Sequence, residues 1–130
     1  MDPVIPETSS APATMSRATL ATELEKLADI MKLVIKQAPE TLTARQLLLF
    51  LAVARKESMQ RQATLTQIMS DHAGLGRSIE RSKAMLLEPS KAYPKAAGWL
   101  MQEHDPKDRR VRHLRLTPRG TDVLAQMLGS

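Results

Sequence analysis

The stretch His104-Asp105-Pro106-Lys107-Asp108-Arg109-Arg110-Val111-Arg112-His113-Leu114-Arg115-Leu116-Thr117-Pro118-Arg119-Gly120 decides the reading of this chain. A turn dense with charge, from Asp105 to Arg110, lies between two runs of strand character. Asp105-Pro106 is a turn-opening dipeptide. Before it, Gly98-Trp99-Leu100-Met101 starts one strand. After it, Val111 to Leu116 alternates, with Leu114 and Leu116 on one face and His113 and Arg115 on the other. Thr117 is a natural helix N-cap with Pro118 in the first helical position. The pattern predicts a basic β-hairpin followed by a helix, a shape that can enter a groove of DNA.

Working outward, the segments upstream read as helices. From about Arg17 to Gln37, Leu20, Leu24, Leu27, Met31 and Val34 recur at spacings of four and three, an a/d-like seam widened by Ile30 and Leu33. Pro39 ends it. Thr43 and Gln46 form a capping-box pair opening a second helix. Leu47 to Ala54 is apolar on every face, so that helix is expected to be central and buried. Thr64 and Gln67 make a second capping box before a short helix carrying Leu65, Ile68 and Met69. Ala73-Gly74-Leu75-Gly76 reads as a turn, and a further helix is expected from about Arg77 to Leu87, with Ile79 and Leu86 pointing inward. Pro89 breaks it, and Pro94 keeps the next stretch irregular. A final helix is expected to bury Val123, Leu124, Met127 and Leu128. The fold class is mainly α with a small β-hairpin, a winged helix-turn-helix. Residues 1–16, rich in Pro, Ser, Thr and Ala, are expected to form a disordered tail. Residues 17–130 would be one domain, with 17–37 and 117–128 as helical dimerisation elements.

Composition narrows the function. The 130 residues contain three aromatics, Phe50, Tyr93 and Trp99, and no cysteine. Disulfides, thiolate metal sites and cysteine redox chemistry are therefore excluded. No apolar run approaches a membrane span and no secretory signal opens the chain, so no membrane is expected and the cytoplasm is the default compartment. The net charge of +5 is concentrated. Residues 77–119 hold eleven Lys and Arg against five Asp and Glu, whereas the remainder holds eight against nine. A local cationic face suits a polyanionic partner. On the helix after Gly76, Arg77, Ser78, Arg81 and Ser82 stand at i, i+1, i+4 and i+5 on one broad face opposite Ile79 and Leu86, and Lys83 follows. That layout suits phosphate and base-edge contacts, since Arg is the commonest reader of guanine. In the hairpin, Lys107, Asp108, Arg109, Arg110 and Arg112 are the candidates. An Arg on a narrow hairpin can insert into an A/T-rich minor groove. Lys91 and Lys95 would touch phosphates if they touch DNA at all.

Taken together, Gly98-Trp99-Leu100, Asp105-Pro106-Lys107-Asp108-Arg109-Arg110 and Leu114-Arg115-Leu116-Thr117-Pro118-Arg119-Gly120 resemble the wing of MarR-type transcriptional regulators. Leu42-Thr43-Ala44-Arg45-Gln46 resembles the helix start of the same family. The resemblance spans roughly Leu20 to Leu128. It implies a homodimer that represses transcription from a pseudo-palindromic operator in double-stranded DNA, with each recognition helix in a major groove and each wing toward a minor groove. It implies that Asp108 pairs with an Arg to shape the wing. Some members release DNA on binding a small aromatic or phenolic ligand; for this chain such an effector is admitted but nothing indicates one. The dimerisation candidates are Leu20, Leu24, Leu27, Met31, Val34, Leu124 and Leu128. Three features depart from the family pattern: about eight extra residues between Leu86 and Gly98, the polar Ser82 and Lys83 at positions commonly apolar, and less helix after the wing.

The remaining candidates favour plain readings. His104, Asp105 and Asp108 are close in sequence, but turn chemistry explains the aspartates and no second ligand cluster exists, so no metal and no cofactor are expected. Trp99 is expected in the core. There is no phosphate-cradling Gly loop and no nucleophile with a base at a telling spacing, so no catalytic residues are assigned and the chain is not expected to be an enzyme. The alternative function is a winged-helix protein-assembly module, of the kind used in phage or plasmid complexes, with weak non-specific DNA binding.

Overall fold

Four hydroxyl side chains start the helices. Ser16, Thr43, Thr64 and Thr117 each stand in extended backbone and accept a hydrogen bond from the backbone N–H three residues on. Each satisfies one of the donors that a helix start leaves open. In the computed structural model, which describes residues 15–129, they open α1 (Arg17–Gln37), α2 (Ala44–Ser58), α3 (Leu65–Asp71) and α5 (Pro118–Met127). The remaining α-helix among the described residues, α4 (Ile79–Ser82), is a single turn whose N-cap residue Ser78 makes no such bond. The predicted tail lies, up to residue 14, outside the described residues; Ser16 belongs to α1 as its cap.

Three strands complete the fold: β1 (Ala63–Thr64), β2 (Leu100–His104) and β3 (Arg112–Leu116), antiparallel in the order β1-β3-β2. The β2-β3 hairpin pairs Leu100 with Leu116 and His104 with Arg112, and this is the wing read from the sequence. The short β1, which no alternation announced, pairs Ala63 with Leu114 and ties the segment before α3 to the wing. The chain is mainly helical with a small antiparallel sheet, and α3, the turn at Ala73–Leu75 and α4 make the helix-turn-helix.

The core gathers Leu49, Phe50 and Val53 of α2, Ile68, Leu75, Ile79, Leu86, Trp99, Leu100 and Leu114. Trp99 is fully buried, its ring 4.9 Å from that of Phe50 and tilted by 49°. Helix α2 is central, but it is not buried on every face as its composition suggested. Leu48 and Leu51 are partly exposed on its outer side. Of the final helix, Val123 and Met127 are buried and Leu124 half-buried, but Leu128 is 72% exposed.

The largest departure from the sequence reading is the segment after Gly76. A single helix over 77–87 was expected, yet α4 ends at Ser82 and a 3-10 turn covers Lys83–Leu86. Two causes are visible. The Ser82 carbonyl is taken by the Gln46 side-chain amide at 2.9 Å. Four residues after Met85 comes Pro89, which has no N–H to continue an α-helical ladder. The Met85, Leu86 and Leu87 carbonyls instead accept from the N–H groups of Ala97, Trp99 and Gly98. The extra residues between helix and wing thus fold back and close on the helix that precedes them.

The wing is anchored at its base as firmly as at its tip. Thr117 Oγ1 donates to the Gly98 carbonyl at 2.6 Å while accepting from Gly120 N–H, and Thr117 N–H donates to the Trp99 carbonyl. Gly98 has φ +69°, a conformation that favours glycine. At Gly120 the helix backbone presses on the strand so closely that a Cβ would overlap the Trp99 carbonyl.

Candidate nucleic-acid interface

The wing tip is shaped by two aspartates. Asp105 Oδ1 accepts from the N–H groups of Lys107 at 2.7 Å and Asp108 at 3.2 Å. Its Oδ2 stands 2.9 Å from His113 Nε2; an ionised carboxylate only accepts, so Nε2 carries the hydrogen. The His113 hydrogen bond, seconded by the Lys107 and Asp108 N–H groups, holds the Asp105 carboxyl below the ordinary carboxylate range. His113 is buried. The alternation puts it with Arg115 on the face opposite Leu114 and Leu116, yet it is covered there while Arg115 is exposed. Asp108 accepts from both the backbone N–H and the Nε of Arg110, at 3.0 and 3.2 Å, which is the aspartate–arginine pairing implied for this position. The Arg109 carbonyl lies 2.9 Å from His104 Nδ1.

These bonds leave the wing's cations outward. Arg110 is almost wholly exposed even while paired to Asp108. Lys107, Arg109 and Arg112 are exposed and their side chains have no hydrogen-bond or ion-pair partner among the described residues. Arg115, by contrast, pairs with Glu103 at 3.0 Å, which occupies its charge within the sheet.

The five candidates on the helix-turn-helix divide into two groups. Arg77, Ser78, Arg81 and Ser82 line one open cleft of about 730 Å³ together with Gln46, Met85 and Tyr93. Lys83 does not belong to it. Its ammonium group donates to the Glu80 carbonyl at 2.6 Å, and it lines a second cleft of about 580 Å³ whose other wall carries Arg110 and Arg112 of the wing and Thr64 and Thr66 at the start of α3. The helix-turn-helix and the wing therefore meet across this cleft through Lys83, and not through Arg77 or Arg81. Sequence reasoning missed Tyr93 and the α3 threonines. A lone aromatic inside a Lys-bearing insertion was the available signal for the first; nothing local marks the others.

The dimerisation candidates also separate. Leu20, Leu24, Leu27 and Met31 are exposed along α1, Leu27 at 59%, whereas Val34 is buried in the chain's own core with Ile30 and Leu33 packed partly against it. Only the C-terminal part of α1 thus rests on the domain, where it packs against α5. Among the described residues no group of three or more His, Asp or Glu side chains could hold a metal ion, and no helix is long and apolar enough to cross a membrane.

Fold and face define a winged helix-turn-helix domain with a cationic side. The chain matches no protein-family model and no curated protein. Among solved structures it is similar to BpsR of Bordetella bronchiseptica, whose DNA binding is regulated by 6-hydroxynicotinic acid. That likeness has 21% identity and a TM-score of 0.46, covering 86% of this chain and 76% of that one. It is also similar to the PcaV transcriptional regulator from Streptomyces coelicolor, solved with its natural ligand, at 21% identity and a TM-score of 0.44 over 94% of this chain and 81% of that one.

Proposed function

We propose that the chain is a sequence-specific double-stranded DNA-binding transcriptional regulator, a repressor, that acts as a homodimer. The observation that carries this reading is a pair of clefts lined mainly by cations, one by Arg77 and Arg81, the other by Lys83, Arg110 and Arg112, with Glu80 lining both. Arg77, Arg81 and Arg112 have no partner within the described chain, so their charge is available to phosphates and base edges. Recognition residues on α4 would sit in a major groove and the wing, led by Arg109 and Arg110, toward a minor groove. The dimer is supported by α1. Along one side it presents Leu20, Leu24, Leu27 and Met31 to water, and each such side chain contributes roughly 1.5–3 kcal/mol when fully buried. A continuous exposed seam of this kind marks an association surface.

Selection of bound sequences from a random duplex pool tests the reading. A palindromic motif with half-sites about one helical turn apart is expected. Arg110→Ala is expected to lower affinity for the selected duplex about tenfold, the order of one lost charged contact, in a low-salt gel shift. Failure to enrich any motif would sink the regulator reading in favour of an assembly module, for which the single-turn α4 is the favouring feature.

A further inference from the structure

We propose that the segment 87–97 is a third DNA-contacting element, in which Tyr93, Lys91 and Lys95 grip phosphodiester groups alongside the α4 face. The inference rests on the DNA-binding reading above and assigns a role to residues that reading leaves idle.

The segment is built, not slack. Ser90 and Tyr93 exchange backbone hydrogen bonds, Ser90 N–H to the Tyr93 carbonyl and Tyr93 N–H to the Ser90 carbonyl, at 3.1 and 3.2 Å. The Ser90 hydroxyl oxygen accepts from Tyr93 N–H as well. This closes a tight turn with Lys91 and Ala92 at its tip. The far end is pinned by the Ala97, Gly98 and Trp99 N–H groups on the carbonyls that follow α4. The turn therefore keeps a set position relative to Arg77 and Arg81.

That position puts Tyr93, half-buried, in the wall of the cleft that Arg77, Ser78, Arg81 and Ser82 line. The cleft thus offers two guanidinium groups, two serine hydroxyls and a phenol. These are groups that bind phosphate oxygens, and tyrosine, serine and arginine are all recurrent phosphate contacts in protein–DNA complexes. Glu80 is the one carboxylate lining it. Lys91 and Lys95 are exposed and without a partner among the described residues, against Glu88 as the segment's single acid. The element is cationic in balance and lies beside the face already assigned to DNA. A surface turn whose only role was to connect helix and wing would need neither the phenol in that cleft nor the lysines flanking it.

The test is the salt dependence of binding to a labelled duplex from the same pool. Each phosphate neutralised adds about 0.9 to the magnitude of the slope of log K against log salt, so Lys91→Ala with Lys95→Ala, which removes two contacts from each subunit of the dimer, is expected to lower it by about 3.6. Lys32→Ala with Lys36→Ala, which removes the same charge from α1, is expected to leave the slope at its wild-type value. Tyr93→Phe, which keeps the ring and removes the hydroxyl, is expected to weaken binding at fixed salt. Melting curves matching wild type establish that each variant is folded. A wild-type slope in the 91/95 variant, an equal loss of slope in both lysine pairs, or a wild-type affinity for Tyr93→Phe overturns the inference. If Arg81→Ala and Arg110→Ala still weaken binding, only the loop's role falls. If the unaltered protein does not bind duplex DNA, the functional reading falls with it.

Discussion

Asp105 shows how much of the wing hangs on one carboxylate. It accepts from two backbone N–H groups in the turn and from His113 across it. A carboxyl held below its ordinary range in the folded chain stabilises the fold only while it is ionised. That contribution is complete above the unfolded group's pKa and is lost as pH falls through the lower folded value. Hence the wing is expected to open in acid, below about pH 4, with Asp105 as a cause. Asp105→Asn is expected to loosen the turn already at neutral pH and to flatten this acid response. Amide exchange at Lys107 and Asp108 followed against pH measures both; an unaltered acid profile in Asp105→Asn would count against the assignment.

Among the elements, α5 depends on its third residue. Gly120 gains nothing as a helix former, and alanine there would add about 1 kcal/mol of helix propensity. The Cβ would nonetheless collide with the Trp99 carbonyl, a backbone atom held by Thr117 N–H. Backbone cannot rotate away as a side chain does. Gly120→Ala is therefore expected to destabilise the domain by about 1–3 kcal/mol, the usual range for overpacking, in urea denaturation. The same helix marks the limit of reading from sequence. Its start was legible, because Thr117-Pro118 is local chemistry, and so were α1, the α2 capping box and the hairpin. The Gly120 requirement was not, since it arises from the backbone of Trp99, a residue far away in sequence that the fold brings against α5. Likewise β1 exists only because β3 offers it an edge, and α4 stops early because Gln46 takes its last carbonyl and the returning 97–99 backbone takes the carbonyls that follow it. In the interface, residue types announced the cations. Their division between two clefts, with Lys83 facing the wing, depends on tertiary placement that no spacing encodes.

At the scale of the molecule, the domain has a packed lobe and a half-supported helix. Leu20, Leu24 and Leu27 of α1 lie in water, and a long helix gains most of its stability from packing its apolar face. Leu24→Lys with Leu27→Lys is expected to convert a dimer into a monomer by light scattering and to lower affinity for a two-half-site duplex, while far-UV circular dichroism keeps its helical form. A variant that stays dimeric would place the subunit contact elsewhere, the exposed Leu48 and Leu51 of α2 being the next surface to test.

Gln46 links these scales. Its carbonyl oxygen accepts from Thr43 N–H at the head of α2, and its amide nitrogen donates to the Ser82 carbonyl at the tail of α4. The side chain is buried, and leaving one of its polar atoms unpaired would cost about 1–3 kcal/mol. One buried side chain thus fastens the head of α2 to the end of the segment proposed to read DNA.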